Sequence, residues 1–264
     1  MGFNPYFHSA EVIHSELSKD PHLGAKVSEQ IESVYFYGAG CSSPYLNKIV
    51  KQGLQQVFTR AEVSVDHDLL AAAYSTYRGV PEISCILGTG SNSVYFDGNK
   101  AHEEVPALAY VLGDEGSGSF LGKRLLSTYL YKKLPQDLAE DFILTYGLSK
   151  DDIIKRVYNE PNANVWLASL SKFYGKHPDH PWVREVVREG FRLFRDIHIL
   201  CFENAKEVEV NFVGSVAYHF QDILKDVLEE VGLSFGYVLR RPLDGLVAYH
   251  IEYLNILKNK EAEI

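Results

Sequence analysis

The sequence predicts an α/β fold built in two parts, and three observations carry that reading. Short β-rich runs alternate with helix-forming runs through the first third of the chain. The order breaks at Pro81 into a glycine-turned hairpin, and strand-to-helix alternation returns at Val210.

Taken in order, Ser33 to Tyr37 reads as a buried strand closed by the small residues Gly38-Ala39-Gly40, which let a ligand approach the backbone. Ser43 suits a helix N-cap and Pro44 the first helical position. Leu46, Ile49, Val50, Leu54, Val57 and Phe58 then recur at helical spacing. A second strand, Glu62 to Val65, leads through Asp66-His67-Asp68 into an alanine-rich helix, so the order is βαβα and the strands are expected to be parallel. After Pro81, Ile83 to Leu87 is a strand, Gly88 to Ser93 a tight loop, and Val94 to Phe96 a strand that stops at the turn dipeptide Asp97-Gly98. Gly113 to Gly118 opens a helix bearing Leu121, Leu125 and Tyr129. Residues 135–181 read as a helical insertion with Pro- and Asn-containing breaks. A long amphipathic helix, a strand at 210–213, the junction Gly214-Ser215, a helix, a last strand near Phe235 to Leu239 and a final helix complete the chain. The expected division is 1–81 and 82–264.

The 264 residues are 46% apolar and 23% charged, a balance that excludes intrinsic disorder. A net charge of −9, with no basic run longer than two residues, as at Arg240-Arg241, argues against a groove that tracks nucleic-acid phosphates. Cys41, Cys85 and Cys201 are dispersed and odd in number, so they form neither a disulfide framework nor a CxxC metal knuckle. No apolar stretch has the length of a membrane span, and a cytoplasmic protein is the default expectation.

Three segments offer chemistry. In Gly88-Thr89-Gly90-Ser91-Asn92-Ser93, glycines and hydroxyl residues can present N–H groups to phosphate oxygens. The third glycine of a dinucleotide fingerprint and the Gly-Lys-Ser/Thr of a P-loop are both missing, and a hairpin turn without a ligand would use the same residues. Asp68, between a strand and a helix, can serve as a general base, or Asp66 or Asp68 can simply cap the helix. Gly113-Asp114-Glu115-Gly116-Ser117-Gly118 places two acids in a glycine run at a helix start, as a ligand site or as a capping turn. His177 and His180 have the look of a metal pair, but the flanking prolines exclude the helix that would bring them together, so a solvated loop is expected.

Gly2 to Phe7, Tyr35 to Cys41, Val65 to Asp68, Ile86 to Ser93, Leu112 to Gly118 and Phe212 to Ala217 together resemble the N-acetylglucosamine kinase and BadF/BadG-type ATPase family over nearly the whole chain. The resemblance implies the actin-like (ribonuclease H-like) ATPase fold, with two α/β domains facing a nucleotide cleft. It also implies ATP-dependent phosphorylation of a small sugar, N-acetylglucosamine first among them, with ATP and Mg²⁺. In that reading Asp68 is the base. Asn4 and Asp114 hydrogen-bond the sugar, Gly38, Ala39 and Gly40 border it, and Gly88, Thr89 and Gly90 meet the phosphates with Asn92 close by. Gly214 and Ser215 border adenosine.

Two departures stand out. Ala107 and Ala109 occupy a stretch where the family often has glycine. The family's opening D-x-G-x-T-x-T hairpin, which supplies the first phosphate loop and the Mg²⁺ aspartate, has no counterpart here, so the chain is expected to be an N-terminally shortened domain. That gap keeps a rival in view, a non-catalytic sugar- or nucleotide-binding regulator on the same fold. A second rival, a reductase-activating ATPase with a cysteine-held cluster, is disfavoured by the dispersed cysteines. Beyond the sugar no partner is expected, neither nucleic acid nor membrane, and a homodimer is left open.

Overall fold

The computed structural model describes residues 2–23 and 25–262. The chain divides into two compact units, Met1–Ala71 and Ala72–Ile264. This division lies ahead of the break that the sequence suggests near Pro81.

The N-terminal unit begins with helices α1 (Ala10–Leu17) and α2 (Ala25–Ser28), ahead of strand β1 (Ser33–Gly38), helix α3 (Pro44–Gln55) and strand β2 (Glu62–His67). The expected cap forms: Ser43 Oγ accepts from the Leu46 N–H, with Pro44 in the first turn. β1 and β2 pair in parallel from Ser33↔Glu62 to Gly38↔His67, so Asp66 and His67 belong to the strand rather than to a connection. Among the described residues these two strands pair only with each other. Ile13, Val50, Leu54, Phe58 and Val63 form a small core beneath them.

Helix α4 (Asp68–Thr76) begins in the first unit and ends in the second. Beyond it come strands β3 (Glu82–Leu87), β4 (Ser91–Phe96) and β5 (Ala101–His102), then helices α5 (Ala109–Leu112) and α6 (Gly118–Leu130). The insertion is helical throughout: α7 (Gln136–Tyr146), α8 (Lys150–Tyr158), α9 (Ala163–Ser169) and α10 (Ser171–Lys176). Its α9 and α10 pack on α6, so Leu138, Phe142, Leu167 and Phe173 join the same core as Leu121 and Leu125. Helix α11 (Pro181–Phe194) continues into a π-helical turn, Arg195–Ile199. Strand β6 (Glu209–Val213), helices α12 (Ser215–His219) and α13 (Gln221–Glu229), strand β7 (Ser234–Leu239) and helix α14 (Leu243–Ala262) follow.

The second sheet has the order β5-β4-β3-β6-β7. It is antiparallel across β4 and parallel across β6. β3 is therefore central, and successive residues along it are buried because both of its faces are covered. One charged residue sits inside this sheet. Glu82 accepts hydrogen bonds from the Thr76 hydroxyl and from Asn211 Nδ2 (2.7 Å), and burial pushes its carboxyl up to about 7. Asn211 Oδ1 in turn accepts from the Tyr237 N–H. This network pins the end of α4 to the sheet with its partners satisfied.

Among the described residues, no helix is long and apolar enough to cross a membrane, and no group of three or more His, Cys, Asp or Glu could hold a metal ion. His177 instead contacts Asp141 (2.9 Å), and the His180 ring accepts from the Trp182 N–H as the cap of α11.

Candidate active site

In the N-terminal unit, parallel pairing puts Gly38 and His67 side by side at the carboxyl ends of β1 and β2, which brings the Gly38–Gly40 turn and Asp68 to the same end of the sheet. Gly40 adopts φ +85°, and a side chain there would strike the Asn4 carboxamide. Asn4 thus fills the space a side chain would take, while its Oδ1 accepts from the Tyr6 N–H (3.0 Å). The sequence leaves helix capping to Asp66 or Asp68, and the structure gives that role to His67, whose Nδ1 accepts from the Leu70 N–H (3.2 Å). Asp68 is exposed to solvent at the first helical position. Desolvation by the surrounding protein nevertheless raises its carboxyl above the ordinary range, against the opposing pull of His67 and the N–H groups of Leu69 and Asp68. Neighbouring Cys41 is buried, and desolvation together with Asp68 and Asp66 pushes its thiol up to about 11, so it stays a thiol and not a nucleophile.

In the C-terminal unit the glycine loop is shorter than the sequence suggests, because Ser91, Asn92 and Ser93 already belong to β4. The remaining Gly88-Thr89-Gly90 is laced to the start of α6: the Gly118 N–H donates to Gly88 O (2.8 Å) and the Ser119 N–H to Thr89 O (3.0 Å). Asp114, at φ +59°, accepts from the Ser91 N–H (3.1 Å) and the Ser119 hydroxyl (3.4 Å), and burial raises its carboxyl. Gly90 does not need a left-handed backbone. Its constraint is contact, since a Cβ would sit 2.8 Å from Asp114 Oδ1. Gly88 faces open space, and Ser91 Oγ is buried without a hydrogen-bond partner among the described residues. Asn92 Oδ1 accepts from the Ser93 N–H (2.9 Å).

A groove of about 540 Å³ starts at Gly88 and Thr89 and runs between Ser169 and Lys172 on one wall and Ser215, His219 and Phe220 on the other, with Arg240 at its side. Gly214 shapes it. At φ +131° this residue lies against the Leu87 carbonyl so closely that no side chain fits, which delivers Ser215 to the groove. Two cations and no acidic residue line the groove among the described residues, a donor set suited to a polyanion. An exposed Thr89 in its lining fits phosphate oxygens.

Comparison with solved structures finds a Porphyromonas gingivalis protein, named as a candidate N-acetylglucosamine kinase. It is 38% identical over 94% of this chain and 88% of its own length, with a TM-score of 0.89. The chain belongs to the N-acetylglucosamine kinase family. A second candidate N-acetylglucosamine kinase, from Chromobacterium violaceum, matches 76% of this chain and 72% of its own at 16% identity and a TM-score of 0.59, which shows the fold alone. No family model and none of the curated proteins matches the chain.

For a member of the N-acetylglucosamine kinase family, sequence reasoning missed several residues. Lys172, His219 and Arg240 carry no local motif, and they become neighbours only when α10, α12 and the end of β7 are folded around the groove. Ser119 lies one residue past the Gly113–Gly118 segment. Ala109, where the family often has glycine, adopts φ +55°, a backbone that glycine takes without cost.

Proposed function

We propose that this chain phosphorylates a small sugar with MgATP, N-acetylglucosamine first among substrates. One observation carries the reading: a basic groove begins at the open backbone of Gly88-Thr89 and passes Ser215, in a chain whose 38%-identical relative is named as a candidate N-acetylglucosamine kinase. Gly88, Thr89 and Gly90 hold the phosphates, and Gly214 and Ser215 border the nucleoside. Asn4, Gly38, Ala39, Gly40, Asn92 and Asp114 serve the sugar. The unit that begins the chain is the sugar side, and the unit built on β3 is the ATPase side.

The chemistry is one displacement. Asp68 takes the proton of the sugar hydroxyl, the alcohol oxygen bonds to the γ-phosphorus, and the bond to the β-phosphate oxygen breaks to release ADP. A carboxyl raised above its ordinary value is better matched to this proton transfer near neutral pH than an unperturbed one. Mg²⁺, when carried by the nucleotide, would supply neutralisation of phosphate charge.

A coupled ADP-release assay over hexoses and N-acetylhexosamines tests the reading, with the highest kcat/KM expected for N-acetylglucosamine. Sugar and nucleotide binding without ADP release would instead place the chain with non-catalytic regulators on the same fold.

A further inference from the structure

The π-helical turn at the end of α11 has no role in this scheme. A π turn in a helix end is a specific backbone departure, and such turns recur near functional sites. Here the Leu200 N–H reaches back to Arg195 O (2.9 Å), and the widened turn buries Arg195, His198 and Ile199 together. His198 stacks on Phe194, with ring centroids 5.0 Å apart, and is 4% exposed. Its Nε2 lies 3.3 Å from Glu115 Oε2, its carbonyl accepts the Ser93 hydroxyl, and its buried Nδ1 has no partner among the described residues. A proton on Nδ1 would be buried without an acceptor, so the favoured tautomer carries it on Nε2 and donates to Glu115.

Those contacts reach both loops of the site. Glu115 follows Asp114 in the Gly113–Gly118 segment, and Ser93 lies three residues past Gly90 in β4. We propose that His198 is a positioning residue: through Glu115 its ring sets the loop that aims Asp114, which accepts from the Ser91 N–H beside the phosphate loop, while the His198 carbonyl, kept in any variant, anchors Ser93. The part of this that concerns Asp114 and the sugar rests on the function proposed above, whereas the tethering of the loops does not.

The experiment compares His198→Phe, which keeps the ring stack and removes the Nε2 donor, with His198→Gln, which keeps a donor near that position. His198→Phe also removes an unpaired buried nitrogen, so it should hold or raise Tm. Hydrogen exchange of peptides covering 88–92 and 115–120 should nevertheless speed up about tenfold in His198→Phe and stay near the parent rate in His198→Gln. In an active enzyme, sugar KM should rise about tenfold in the first variant and return in the second. Glu115→Ala, altered from the more accessible side of the pair, should reproduce the loosening without touching the core. Unchanged exchange in both His198→Phe and Glu115→Ala would overturn the tether whatever the chain phosphorylates. Loosened loops with an unchanged sugar KM would overturn the part that concerns Asp114.

Discussion

Two of the glycine turns at strand ends, Gly38–Gly40 and Gly88–Gly90, are held in different ways. Gly38–Gly40 follows a strand of a two-stranded sheet over a small core, and Asn4 steadies it by filling the place of a side chain at Gly40. Gly88–Gly90 leaves the central strand of a five-stranded sheet and is cross-linked to α6 by two backbone hydrogen bonds and to Asp114 through Ser91. In the function proposed above, the first turn lies near the base, Asp68, while the second is itself the surface that meets the phosphates. Substitutions should therefore act through protonation in the N-terminal unit and through geometry in the C-terminal one.

The sharpest test of that contrast is Asp68→Asn. An amide keeps hydrogen bonding and cannot take a proton, so kcat should fall about 10²- to 10⁴-fold while sugar affinity changes only a few-fold. Full turnover by this variant would remove Asp68 from the chemistry.

Gly90→Val comes next in size. Its Cβ would press on Asp114 Oδ1 and push the carboxylate off the Ser91 N–H, so ATP affinity should drop about tenfold or more with a smaller change in Tm. Melting without loss of ATP affinity would make the loop a plain turn.

The pin between α4 and the sheet gives a pH signature. Glu82 is raised to about 7 in the fold, so the fold favours its uncharged form, and the stability this contributes is complete below about 4.5 and lost as pH rises through 7. Between pH 5 and 8, Tm should fall by about 5 °C, and Glu82→Gln should flatten that slope. Glu230 and Asp97, held down at about 2 by Arg192 and by the Lys100 N–H respectively, act with the opposite sign and only in stronger acid.

The smallest effect is expected at Ala109→Gly. Relief of a left-handed alanine is worth about 1 kcal/mol, offset in part by the freer unfolded chain, so urea unfolding should show a gain below about 1 kcal/mol.

Much of this was legible in the sequence because it is local. Ser43-Pro44 announces α3, Asp97-Gly98 ends β4, and hydrophobic periodicity marks α11 and α13. α12 and α13 read as one helix, since the break at Phe220 is a change of backbone direction that apolar spacing does not encode. The His67 cap was hidden because a histidine ring rarely takes that role. The groove's cations and the His198–Glu115 contact join residues scores of positions apart, a separation that no short motif spans. The π turn depends on one extra residue per turn, which no local composition signals.

The division at Ala71/Ala72 has a practical consequence, because it falls inside α4 rather than in a loop. Proteases bind their substrates as extended chain, and a hydrogen-bonded helix offers none. Limited digestion should therefore leave this junction intact and nick turns with exposed residues, such as Asn99-Lys100, first. A cut placed here by design would end one fragment within a turn of Asp68 and strip the carboxylate of the helix that presents it.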